Sequence, residues 1–126
     1  MRVFLAVAAI LAWVFAIALL LAPAKFYAPT GMALTPMLAT LAQAHGATLF
    51  GLGVINWMAR RAERAGLIAV LTGNLVVQIL SLVVVLRTMS LGAGSAVAPG
   101  VLIHVVLGGF FSYFLWKTIN LRLPEA

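Results

Sequence analysis

Four long apolar stretches, each uncharged from end to end, decide what this chain can become. They run from about 3 to 22, 36 to 59, 66 to 86 and 99 to 116. A helix crosses a bilayer core with about 20 apolar residues at about 1.5 Å per residue, and each stretch meets that length. Pro23 stops the first, because proline offers no backbone donor to a helix. Thr35 can cap the second and Pro36 suits its first turn, while Pro99 stands at the start of the fourth. The connections are short, which favours antiparallel neighbours. The expected fold is all-α: one integral membrane domain, residues 1–126, folded as an up-down four-helix bundle.

Composition agrees. Of 126 residues, 65% are hydrophobic and 8% charged, against roughly 25% charged in a soluble domain. The net charge of +6 does not point to nucleic acid, since the cations flank apolar segments instead of forming one dense stripe. There is no cysteine, so disulfides, thiolate metal sites and thiol relays are excluded. The first stretch is nearer 20 residues than the 7–15 of a signal-peptide core, and reads as an uncleaved span.

The first connection, rich in Pro and Gly around Lys25, Phe26 and Tyr27, reads as an irregular loop. The second, RRAERA, is a tight charged turn; the third contains LGAGSA and reads as flexible. With the N-terminus in the cytoplasm, Arg2, Arg60, Arg61, Arg64, Lys117 and Arg122 lie inside, and only Lys25 and Arg87 outside. The positive-inside rule then places both ends in the cytoplasm, with Trp57, Tyr113 and Trp116 at the inner interface and Phe26 and Tyr27 at the outer one. Trp13, near mid-span, packs on a neighbouring helix or faces lipid. The basic turn of Arg60, Arg61 and Arg64 suits anionic lipid at the inner surface.

No acid or base lies deep in a span, and Glu63 and Glu125 sit at the edges. That weighs against proton relays, two-carboxylate catalysis and Ser-His-Asp chemistry, so no catalytic residue is assigned and an enzyme is disfavoured. The polar residues that remain are neutral amides, hydroxyls and two histidines. Asn74, Gln78 and Ser81 share one helix face, as do His104, Gly108 and Ser112. On the second span His45 shares a face with Thr48, Leu49, Leu52 and Asn56, while Gln43, Gly46, Phe50 and Gly53 lie on another side. Gly46 is a natural place for a bend.

Under this topology His45 and His104 each lie about 8–14 Å below the outer end, level with Ser81 and near Gln78. His45, His104, Gln78 and Ser81 are therefore candidate ligand-binding residues. Two imidazoles on different helices could hold a haem iron, or one could bond a quinone carbonyl, though no cofactor is required. A copper site from Met32, Met37 and Met89 with His45 is less favoured, because methionine is more often a gap-filler. The competing reading is helix packing. Buried amides pair across helices, Asn74 and Gln78 being placed to meet Asn56 and His45, and small residues let helices approach. Gly46, Ala47, Gly51, Gly53, Asn56, Asn74, Gly108 and Ser112 are the packing candidates.

The stretch AHGATLFGLGVINWMARRAERAGLIAVLTGNLVVQILSLVVVL, with VLIHVVLGGFFSYFL further on, resembles small four-span bacterial membrane proteins of the broad DoxX-like type. The resemblance rests on a Gly-rich second span ending in W-x-A-R, a polar third span and a His-bearing fourth, here Trp57 to Arg60 and His104. It implies a four-helix bundle in a bacterial cytoplasmic membrane. Thiol chemistry associated with part of that group does not carry over to a cysteine-free chain. The expected role is a non-catalytic accessory or assembly subunit of a larger membrane complex, or a self-associating one. Quinone or haem binding through His45 and His104 is the first alternative, and a small oligomeric transporter the second.

Overall fold

The computed structural model describes residues 1–120, and for Ala93, Gly94 and Ala96 the backbone alone. Arg122 and Glu125 lie outside the described residues. Among those described, five α-helices follow in order: α1 Arg2–Leu21, α2 Pro23–Tyr27, α3 Pro36–Ala59, α4 Arg64–Thr88 and α5 Ala98–Asn120. No strand occurs among the described residues. Four of the helices, all but α2, are long and apolar enough to cross a membrane.

The helix ends follow local chemistry. Thr35 caps α3 by accepting a hydrogen bond from the Leu38 amide at 3.3 Å, and Pro36 occupies the first turn. The first connection is more ordered than its composition suggests. Pro23 ends α1 but starts α2, because the residue that breaks a helix interior is tolerated in a first turn. A 3-10 turn, Ala28–Thr30, follows and closes on Gly31 at φ 70°. A π-helical turn, Met89–Ala93, continues beyond α4, with Gly92 at φ 103°, a left-handed backbone that glycine adopts without strain. Helices α4 and α5 also outrun their apolar windows, at Arg64–Thr88 and Ala98–Asn120. Apolarity marks what hydrocarbon accepts, while backbone pairing continues into the charged flanks.

The chain divides into two compact units, Met1–Arg61 and the remainder from Ala62 onward. In the first, α1 and α3 run antiparallel, because Gly46 lies against Ala16 and Leu19 while Gly53 lies against Ala9 and Trp13. Gly46 does not bend α3, which is continuous. It is a contact point instead: a β-carbon there would stand 3.0 Å from the Ala16 carbonyl oxygen. At Gly53 a β-carbon would stand 2.5 Å from the Trp13 indole. Trp13 thus packs on its neighbour, and its Nε1 donates to the Phe50 carbonyl at 3.2 Å. Leu5, Ala8, Ala9, Ala16 and Leu19 form the buried side of α1.

In the second unit α4 and α5 are likewise antiparallel. Gln78 meets His104, Val85 meets Gly100, and Arg64 reaches the end of α5. Leu67, Leu71 and Phe111 are its buried apolar residues among those described.

Candidate functional site

The most definite polar constellation lies between α4 and α5. His104 Nδ1 and Gln78 Oε1 are 2.8 Å apart. A carbonyl oxygen only accepts, so this pairing puts the proton on Nδ1 and leaves Nε2 an acceptor in the neutral ring. Gln78 is buried and His104 half-buried. Gly108, one turn beyond His104, makes room for the amide stem: a β-carbon there would sit 3.5 Å from Gln78 Cβ, an ordinary contact. Asn74, one turn along α4, is buried and donates to the Val70 carbonyl at 2.9 Å. Ser81 is half-buried, whereas Ser112 is exposed.

In the packing reading, sequence spacing sets Gln78 opposite His45. Within the second hairpin the structure joins Gln78 to His104. His45 belongs to the first hairpin, where it is exposed and lines a groove of about 220 Å³ with Tyr27, Met32, Leu38 and Leu41. Among the described residues no group of three His, Cys, Asp or Glu side chains could hold a metal ion.

The small residues separate into two kinds. Gly46, Gly53 and Gly108 touch a neighbouring helix of their own hairpin. Gly51 has nothing within 4 Å of where a β-carbon would stand and Ala47 is exposed, so within the chain the α1 contact passes through Gly46 and Gly53 and not through the 47/51 pair. Asn56 is fully buried on the packed side of α3.

The basic turn is also divided. Arg64 donates through Nε to the Thr118 carbonyl at 3.1 Å and through an Nη to the Ile119 carbonyl at 2.9 Å. It therefore caps the C-terminus of α5, where the last carbonyls lack helical partners and the helix dipole favours a cation. Arg60 lies over the Trp57 ring, 3.2 Å from its centroid, and donates to the Trp57 carbonyl at 2.8 Å. Arg61 is exposed.

Two residues outside the sequence candidates make defining contacts. Gln43 Nε2 donates to the Leu20 carbonyl at 3.1 Å, satisfying one of the terminal carbonyls of α1. The signal is present in Pro23, whose missing donor announces unpaired carbonyls just upstream. Tyr27 joins His45 in the groove only because α2 and the following turn carry it there, and nothing in local spacing announces that. No family model, curated protein or solved structure matches the chain.

Proposed function

We propose that this chain is an integral protein of a bacterial cytoplasmic membrane, crossing it four times as an up-down bundle with both ends inside. In that membrane it serves as a non-catalytic accessory or assembly subunit of a larger complex. Insertion is supported by an inside-out distribution of side chains. Asn56, Asn74, Gln78 and Thr118 are buried, while Val14, Leu80, Val84 and Leu102 are exposed. Orientation is supported by Arg2, Arg60, Arg61, Arg64 and Lys117 at one set of helix ends, against Lys25 and Arg87 at the other.

The observation that carries the accessory reading is a second set of glycines. Gly51 on α3, Gly73 on α4 and Gly109 on α5 all lie inside long helices with nothing within 4 Å of where a β-carbon would stand. Glycine inside a helix costs about 1 kcal/mol relative to alanine. Lipid gives no return for that cost, whereas an approaching transmembrane helix does, because small residues let backbones come close. These positions suit docking against a helix from outside their own hairpin, as an accessory subunit would meet in a larger complex.

The test is extraction from native membranes in a mild detergent, followed by native mass measurement of wild type and of Gly51→Leu and Gly109→Leu. The expected result is a defined assembly for wild type that each variant shrinks while circular dichroism stays helical. A wild-type monomer in every mild detergent, or variants that keep the assembly mass, would overturn the reading.

A further inference from the structure

Most of α5 is left open by its own hairpin. Among its described residues only Phe111 and Thr118 are buried. On the open side Val105, Val106, Gly109, Phe110 and Tyr113 line an apolar groove of about 500 Å³. Gly109 leaves a notch in it, with nothing within 4 Å of where a β-carbon would stand. Phe110 and Tyr113 are each about half exposed. The Tyr113 ring is braced edge-on by Phe114, with centroids 5.1 Å apart. Held aromatics beside a vacant notch are the kind of surface that anchors an interface.

Val105, Gly109, Tyr113 and Lys117 recur every four residues, so one row runs from the groove to the C-terminal end of the helix. The helix itself has no call on Lys117. Arg64 donates to the Thr118 and Ile119 carbonyls, the Thr118 hydroxyl to that of Phe114, and the Asn120 amide to that of Trp116. Lys117 is exposed and, among the described residues, pairs with neither Glu63 nor any other acid. Its position is eight residues past Gly109, about 12 Å at 1.5 Å per residue.

That charge selects the occupant. A second copy meeting α5 face to face in the same orientation would set Lys117 against Lys117, and like charges repel such a pairing. A lipid chain moulds itself to any apolar surface and needs no notch, whereas the fixed side chain of a helix does. We propose that α5 receives a transmembrane helix of a different polypeptide, with a Leu-, Ile- or Phe-sized side chain over Gly109 and an Asp or Glu carboxylate about 12 Å nearer the inner surface, paired with Lys117. Tyr113, one turn before Lys117, is a second donor for that carboxylate. This names the partner's chemistry within the accessory reading above and rests on that reading.

The test places a photoreactive benzophenone amino acid at position 110 of the full chain in native membranes, and the cross-linked peptide is sequenced by mass spectrometry. The expected adduct is a spanning segment of a different polypeptide, with an Asp or Glu about two turns nearer the inner surface than the captured residue. Lys117→Gln should lower the yield about threefold to tenfold, and Lys25→Gln at the opposite membrane face should leave it unchanged. Lys117→Glu should abolish the adduct, and replacing the partner's acid by Lys should restore it. Circular dichroism checks that each variant stays helical. No adduct, adducts only with lipid, with a second copy or with the first hairpin of the same chain, a partner segment without an acid at that level, or a yield indifferent to Lys117 overturns the proposal. The wild-type assembly mass is measured in parallel. An assembly that persists while these arms fail removes this inference alone, whereas a monomer removes the accessory reading with it.

Discussion

The two hairpins solve the same packing problem by different chemistry. In the first, α1 and α3 meet through shape: glycines at 46 and 53 receive Leu19 and the Trp13 indole, and Ala9 and Ala16 bring their backbones close. In the second, α4 and α5 are tied by polar groups, Gln78 to His104 and Arg64 to the carbonyls of Thr118 and Ile119. Close backbone approach tolerates no added atom, whereas a hydrogen-bonded tie can lose one partner and keep its fold. Substitutions in the first hairpin should therefore be severe and steric, and those in the second milder and electrostatic.

The largest expected effect is at Gly53. Gly53→Leu drives carbon into the Trp13 ring and the Ala9 carbonyl, and overpacking of this kind costs about 3 kcal/mol. Reversible unfolding in mixed detergent and sodium dodecyl sulfate should rank Gly53→Ala above Gly46→Ala, with Gly108→Ala near wild type. A flat ranking would erase the contrast between the hairpins.

Next comes the polar tie. Gln78→Leu removes the hydrogen bond between His104 and Gln78 and should cost about 1 kcal/mol. A double-mutant cycle with His104→Leu sharpens this: coupling of about 0.6–1.7 kcal/mol is expected for a membrane hydrogen bond. Zero coupling would mean the pair contributes only packing.

Arg64→Met should cost about 0.5–1 kcal/mol, the size of a charge at a helix terminus. Its signature is local. Amides in the last turn of α5 should exchange faster with solvent deuterium, while those of α1 and α3 stay unchanged. Smallest of all, Gly51→Ala and Gly73→Ala should leave the isolated chain unchanged or stabilise it by up to about 1 kcal/mol, because the added methyl meets nothing.

Much of this architecture is legible in the order of the residues. Uncharged runs mark the four long helices, and Thr35 with Pro36 marks the start of α3 to the residue. The faces are less legible, because a glycine-rich helix offers several small stripes. Gly46 with Gly53 and Ala47 with Gly51 both fit helix contact by spacing, and only the position of the Trp13 indole distinguishes them. The pairing of Gln78 is equally underdetermined by sequence, since both histidines satisfy its chemistry and its depth. Helix α2 is hidden by Pro23, which ends one helix and begins the next within two residues. The groove depends on the path of 23–35, and a segment without periodicity carries no reading of where its side chains go.

Because the chain has no cysteine, a single introduced thiol reports its own surroundings. The most direct measurement is disulfide and maleimide cross-linking in native membranes with Gly51→Cys, Gly109→Cys and, as an inward control, Leu71→Cys, a residue with no exposed surface. Cross-links from 51 and 109 to a different polypeptide, with none from 71, are the predicted result. Thiols at 51 and 109 that label freely with a lipid-soluble reagent and never capture another chain would contradict it.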